Sequence, residues 1–443
     1  MQRETDRAYN CNFQEYPYLF CQHYYSSYHA HRQQMFSSRI LNNGLNVSNC
    51  FVPNAFCRSL SETAVPCQQL SNMCFNSYKD RNGAPRIEIN KSLSVNVSIN
   101  GLRGWQFTTL GKTLRKLNGG KNPGIMFKVM TYNILAQDLL VDHPQLYRDN
   151  DKQTLAWEIR WNNIYQSIKE HDCEIICLQE VQQDHIHKYF NSLEALGYKG
   201  IYKQRTGYRT DGCAVYYKSY LFNLVEYTTV EYRQPNVTIL DRDNVGIVAT
   251  FAPKANPNAE FIVATTHLLY NPKRHDVRLA QVQVLLAEID RMAYRHNQSE
   301  SNYVPVILTG DLNAEPQSPI YNFIIRSMLK YENAVLRPNY IAGKTLIPPK
   351  LMITDNCQHA GLLKFRLSNQ TLGRAEEQKY IQIASVGKKY DLKNNTDYLQ
   401  YKFNSGTLTH NFIFKSVYNH KNDSDTEGTT YQNAWVTVDY IFY

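Results

Sequence analysis

Residues 125–443 of this sequence predict an α/β fold in which helices cover sheets. Three observations carry that reading. Short runs rich in β-branched residues recur along the segment, stretches with helical apolar spacing separate them, and the pattern is sustained over about 320 of the 443 residues. The runs expected to form strands are Phe127–Tyr132, Glu174–Leu178, Cys213–Tyr217, Gly246–Phe251, Phe261–Thr266, Val304–Thr309 and Trp435–Phe442. A helix is expected over Asp184–Leu196, burying Ile186, Tyr189, Phe190, Leu193 and Leu196, with Gly197 as its stop. A longer one lies between Lys273 and His296. Its stripe of Leu279, Val282, Leu286, Ile289 and Ala293 follows the 3, 4, 3, 4 spacing of a half-buried helix. The polar segments Gln370–Asn394 and Asn419–Thr429 read as exposed loops.

Residues 1–124 differ in character. They are rich in Asn, Ser, Gln and Tyr without a sustained period, which predicts a low-complexity, largely disordered extension. Leu114–Pro123 (LRKLNGGKNP) has the punctuation of a linker into the second domain, 125–443. The net charge of +9 is concentrated in the extension. It holds 14 basic and 6 acidic residues, whereas the remaining 34 and 33 nearly cancel. A domain so nearly neutral does not bind phosphate backbones by bulk charge and must rely on a local site. Tyr24, Tyr25 and Tyr28 near Arg32 are read as low-complexity filler rather than as base-stacking residues. Of ten cysteines, six lie in the extension, and no C-x-x-C occurs anywhere, so reduced thiols are expected rather than a disulfide framework or zinc. No stretch approaches the ~20 apolar residues of a membrane span, and mean hydropathy is −0.50. The N-terminus also lacks the uninterrupted apolar run of a secretory signal. A soluble intracellular protein, cytoplasmic or nuclear and without membrane contact, is the expectation.

The chemistry is written at the ends of the apolar runs. Met130-Thr131-Tyr132 closes on Asn133, Ile175–Gln179 closes on Glu180, Ile262–Thr266 closes on His267, and Val306–Gly310 closes on Asp311-Leu312-Asn313. A hydrophobic strand that ends on a polar residue delivers that side chain to the rim of its sheet, and several such strands can build one site. One such ending is ordinary. Four of metal- or phosphate-handling type point to a convergent site. Mg²⁺ prefers carboxylate oxygens and keeps several waters, so one or two protein ligands suffice. Glu180 is the best ligand, with Asn133 beside it. Asp311 can take a proton from an attacking water. Asn313 can donate to the charge developing on phosphorus, and His267 can contact a non-bridging phosphate oxygen. Arg205 and Arg209, near Asp211, fit a substrate grip and a solvated loop equally well and stay outside the catalytic set.

The blocks TYNIL (131–135), LQEV (178–181), DGCAVYYK (211–218), TTHLLYNPKR (265–274), GDLNAEPQSPIY (310–321) and VDYIFY (438–443) occur in one order. In that order they resemble the DNase-I-like endonuclease/exonuclease/phosphatase superfamily, in the branch of the deadenylases, nocturnin and the angel proteins. THLLYNPKR and DGCAVYYK are most similar to angel. The resemblance covers about residues 125–443. It implies a two-sheet α/β sandwich and hydrolysis of an RNA phosphoester that depends on Mg²⁺, with Mn²⁺ as the substitute. For angel-like members it implies removal of a 2′,3′-cyclic phosphate from RNA 3′ ends; for the deadenylase relatives it implies 3′→5′ shortening of poly(A). No W-C-D-R-like block of the inositol polyphosphatases is present.

At one place the sequence departs from the family pattern. That pattern continues past V-D-Y-I-F-Y to an S-D-H motif whose His contacts phosphate, and Asp439 matches the Asp that orients it. This sequence contains no S-D-H. The expectation is therefore either a fragment or isoform of a longer enzyme, or an impaired one acting as an RNA-binding or regulatory protein. The same departure predicts an unpaired, sticky edge along Trp435–Tyr443. A DNA-directed nuclease is a third, weaker reading.

Overall fold

The computed structural model describes residues 125–148, 150–296, 301–331, 346–367, 372–378 and most of 403–443; before residue 125 it describes only the backbone of six short strands. The expected disorder of residues 1–124, apart from those strands, falls outside the described residues. So do the loop expected at Gln370–Asn394, except 372–378, and most of that at Asn419–Thr429. One of the short strands, Arg32–Leu41, runs antiparallel beside the first domain strand, where the sequence shows no strand period.

Two sheets face each other. The first contains β1 (Met126–Asn133), β2 (Ile175–Gln182), β3 (Tyr198–Gln204) and β4 (Asp211–Lys218) in the order β1-β2-β4-β3. Strands β1 and β2 are parallel, which requires a crossover, and the helix α1 (Trp157–His171) supplies it. The second contains β5 (Phe222–Glu231), β6 (Val245–Pro253), β7 (Phe261–His267), β8 (Val306–Asp311) and β9 (Asp439–Phe442), side by side in that order. Here β7 and β8 are the parallel pair, joined through α2 (His275–Ala293). Each sheet thus places a parallel pair where its site residues emerge.

Side-chain alternation explains the layering. On β1 and β2, Phe127, Val129, Ile175 and Cys177 enter the core between the sheets, while Met130, Tyr132, Ile176 and Leu178 pack with Trp157, Trp161, Ile164 and Ile168 of α1 on the outer face. The inner core also takes Ile247, Ala249 and Phe251 of β6 and Phe261 and Val263 of β7. Phe127, Phe222 and Phe261 meet there, with ring centroids 4.9–5.5 Å apart.

Several expectations need correction. Asp184–Leu196 is not one helix. A short turn, His185–Lys188, ends at Tyr189 (φ −122°), and a 3₁₀ segment, Phe190–Leu196, continues from it. The break lets Ile186, Phe190 and Leu193 all reach the core beneath α1; Gly197 (φ 85°) closes the segment as expected. Helix α2 is buried around nearly its whole circumference rather than on one stripe. Residues 354–359 cover its outer face: Gln283 donates to the Thr354 carbonyl (2.9 Å), Gln358 donates to Asp290 (3.0 Å), and His359 meets Glu288 (2.8 Å). Trp435–Phe442 is two strands, Trp435–Val436 and Asp439–Phe442. The edge expected to be open is paired, because Lys415 and Tyr443 exchange backbone hydrogen bonds and Val417 donates to the Ile441 carbonyl. The described cysteines, Cys173, Cys177, Cys213 and Cys357, are free and buried, and burial pushes the Cys177 thiol up to about 12. No helix among the described residues is long and apolar enough to cross a membrane.

Candidate active site

The site forms where the two parallel pairs end. In register, Asn133 lies opposite Gln179, His267 opposite Asp311, and Asp311 opposite Asp439. A strand sends alternate side chains to opposite faces, so Gln179 and Glu180 cannot both point inward from regular backbone. Gln179 does point inward, donating to Thr131 Oγ1 (3.1 Å) and Thr265 Oγ1 (3.0 Å) and so tying the two sheets together beneath the site. Glu180 takes φ 59°, and the β2–β4 register shifts at Gly212/Cys213 opposite it. This bulge re-aims the carboxylate into the site, at the cost of a left-handed backbone for a non-glycine residue. Gly310 (φ 136°) serves the other sheet, since a Cβ there would lie 2.1 Å from the Thr266 carbonyl oxygen.

The expected residues converge. Asn133 Nδ2 donates to Glu180 Oε1 (2.7 Å) and to Asp311 Oδ2 (3.0 Å), while Asn133 Oδ1 accepts from Leu135 N–H (3.0 Å). Ala136 N–H donates to Glu180 Oε2 (3.1 Å). His267 Nε2 is 3.8 Å from Asp311 Oδ2. Ligand atoms of Glu180, His267 and Asp311 lie within 4.8 Å of one another. Asn313, also left-handed (φ 47°), donates its backbone N–H to Asp311 Oδ1 (3.0 Å) and its Nδ2 to the Leu268 carbonyl (3.0 Å). Asp439 is buried on the strand next to Asp311. Two buried carboxylates this close repel unless donors or a cation compensate. Asn133 bridges them, and the set of hard oxygen donors fits a Mg²⁺-type ion, with Glu180 and Asp311 as its holders. As oriented, Asn133 turns a donor rather than an oxygen toward the pair.

Sequence reasoning passed over the groups that hold these residues in place. Arg160 of α1 is buried and donates to the carbonyls of Ile134 (2.9 Å) and Leu135 (2.7 Å) and to Gln137 (2.8 Å), fixing the loop after Asn133. Arg278 of α2 does the same for the loop after His267, donating to the carbonyls of Leu269 (3.0 Å), Asn271 (2.6 Å) and Pro272 (3.0 Å). Burial lowers both guanidinium pKa values to about 10, which still leaves them charged at neutral pH. The signal available in sequence is an Arg set within an apolar helix face. Asp211, also buried, meets Arg205 (3.2 Å); burial raises its carboxyl above the usual range, and the Arg205 charge opposes that rise.

Residues 130–443 match the Endonuclease/Exonuclease/phosphatase family. Human protein angel homolog 2 is 38% identical over 333 residues, spanning 72% of this chain and 58% of that protein. Protein angel of Drosophila melanogaster is 43% identical over 206 residues, 45% of this chain and 55% of that protein. The chain therefore spans a little over half the length of these two relatives. Among solved structures, the crystal structure of ANGEL2, a 2′,3′-cyclic phosphatase, superimposes with a TM-score of 0.57 at 36% identity, covering 72% of this chain and 82% of that one. The same protein in complex with adenosine-2′,3′-vanadate gives the same score and identity. With the two-sheet sandwich and the ordered motifs, these matches show that the chain belongs to the endonuclease/exonuclease/phosphatase family, in its DNase-I-like angel branch.

Proposed function

We propose that residues 125–443 form a phosphoesterase of RNA 3′ ends, with removal of a 2′,3′-cyclic phosphate as its principal reaction. The observation that carries this is the convergence of Glu180, His267 and Asp311 within 4.8 Å, bridged by Asn133. The likeness to ANGEL2, itself a 2′,3′-cyclic phosphatase, supports the choice of substrate. Mg²⁺, or Mn²⁺ in its place, would be held by Glu180 and Asp311, with the Asn133 amide bracing both carboxylates rather than ligating, and would polarise the phosphoryl group and neutralise its charge.

The remaining work belongs to side chains. Asp311 Oδ2 takes the proton of the attacking water. As the new bond to phosphorus forms, one ribose ester bond breaks and its oxygen takes up the proton that Asp311 removed; a second water, attacking in the same way, breaks the remaining ester bond and releases phosphate. His267 Nε2 donates to a non-bridging oxygen. The Asn313 amide, with one N–H on Leu268, turns its second toward the developing negative charge. Asp439, opposite Asp311 in register, matches the motif's histidine-orienting Asp, and the S-D-H histidine it would orient is not in this sequence. RNA is the partner this reading requires, inside the cell and away from membranes.

The test pairs an RNA ending in a 2′,3′-cyclic phosphate with one ending in poly(A), in Mg²⁺ and in chelator. Phosphate release from the first, abolished by chelator and reduced about 100-fold or more by Glu180→Gln, is expected. Shortening of poly(A) with the cyclic end intact would assign the chain to the deadenylase reaction. RNA binding without turnover would make it a regulatory protein.

A further inference from the structure

The chemistry above leaves unused a cavity of about 200 Å³ lined by Asp138, Leu139, Asp142, Tyr208, Arg209 and Asp211. Its place is fixed by the strands. Asp211 pairs with Gln182, and Asp138 N–H donates to Oε1 of that same Gln182 (3.0 Å). Gln182 stands two residues beyond Glu180, roughly 7 Å at the rise of a β-strand. The cavity therefore adjoins the carboxylate cluster.

Tyr208 at its mouth is wholly exposed, at 103% of the reference area. A lone exposed aromatic needs no explanation, but this one rides a loop braced at several points. Arg205 N–H donates to the Asp211 carbonyl, Gln183 N–H to the Thr210 carbonyl, Gln204 Nε2 to the Arg209 carbonyl (2.7 Å) and Thr206 Oγ1 to Asp243 (2.7 Å). The ring is thus presented rather than left loose. In the cavity wall, Asp211 is 1% exposed, and its Oδ2 has no hydrogen-bond partner among the described residues. A buried carboxylate oxygen without a donor is costly, and a donor on a ligand would relieve it. The volume is below the ~300–1,000 Å³ of sites for drug-sized ligands and suits one planar ring.

We propose that this cavity receives the nucleobase of the nucleotide whose phosphate lies at Glu180, His267 and Asp311, with Tyr208 stacking on the ring and Arg209 beside it. The inference rests on the RNA-end reading above and names where that substrate's base is held. Every base has a π-face, so the grip is sequence-tolerant; every base also has an N–H donor on its edge for Asp211. The structural role of Asp211 would be to read the presence of a base, not its identity.

The experiment compares kcat/KM for a dinucleotide ending in a 2′,3′-cyclic phosphate with that for ribose 2′,3′-cyclic phosphate, which has no base. It also titrates AMP directly by calorimetry. Tyr208→Ala should shrink the preference for the base-bearing substrate about ten-fold and weaken AMP by a similar factor, whereas Tyr208→Phe should keep both. An unchanged preference with unchanged AMP affinity overturns the proposal. If the wild-type chain turns over neither substrate, the reaction assigned above fails, and AMP affinity alone decides: weaker binding by Tyr208→Ala supports the cavity, equal binding overturns it.

Discussion

Single side chains in this site have their conformations fixed by neighbours that do no chemistry. Glu180 reaches the centre only because its backbone turns left-handed at the bulge opposite Gly212/Cys213, and Asn133 then holds it against Asp311. Arg278 shows how far such support extends. Its guanidinium spans three backbone carbonyls of the loop between His267 and α2, and it also meets His275 Nδ1 at 3.1 Å. A lysine keeps the charge but offers a single point, so it cannot reproduce this fork. Arg278→Lys should therefore destabilise the domain by about 1.5–3 kcal/mol per charged hydrogen bond lost, as read by urea unfolding. KM should rise as the loop loosens, while metal-dependent turnover persists. Wild-type stability together with wild-type KM would show that the carbonyl contacts contribute nothing.

At the level of strands and helices, the parallel pair β7–β8 sets the spacing of the site, because the same register brings His267 opposite Asp311 and Thr266 opposite Gly310. A methyl group at Gly310 would meet the Thr266 carbonyl oxygen at 2.1 Å in a backbone conformation that side chains rarely adopt. Gly310→Ala should push β8 away from β7, widening the His267–Asp311 separation; the expected result is loss of turnover and a lowered Tm in one variant. Turnover at the wild-type level would mean that β8 adjusts without moving its end. The strand ends themselves were legible in sequence, since a short apolar run closing on Asn133, Glu180, His267 or Asp311 is a local signal. Their supports were not. That Arg160 and Arg278 sit under site loops depends on how α1 and α2 pack, and that Gln179 ties the sheets through Thr131 and Thr265 depends on which faces meet. The expected helix over Asp184–Leu196 failed for the same reason. Its apolar spacing is helical, but the space beneath Trp157 and Trp161 is filled by a turn and a 3₁₀ segment instead.

For the molecule as a whole, buried ionisable groups set how stability responds to pH. His410 is neutral in the fold: Nδ1 accepts from Phe412 N–H (3.2 Å) and Nε2 donates to the Phe323 carbonyl (3.1 Å), so a second proton would find no acceptor. Burial lowers its pKa to about 4, and burial among Tyr321, Tyr418 and Tyr440 lowers that of His420 to about 4 as well. Unfolded histidines take up their protons near pH 6.5. The unfolded chain therefore binds more protons than the folded one between about 6.5 and 4, and stability falls as pH drops through that window. Glu288 acts lower down. Burial opposes its charge, but His359 and Arg291 outweigh burial and bring its pKa to about 2. Its contribution is present above the unfolded value near 4.5 and is lost as pH falls from there toward 2. Urea unfolding between pH 8 and 3 should show a plateau above about 6.5, a decline beginning near 6, and a steeper decline below 4.5. Replacing His410 with Gln, which can also both donate and accept, should flatten the upper part of the decline and leave the lower part unchanged. A decline of the same slope in that variant would show that protonation of His410 does not govern acid sensitivity.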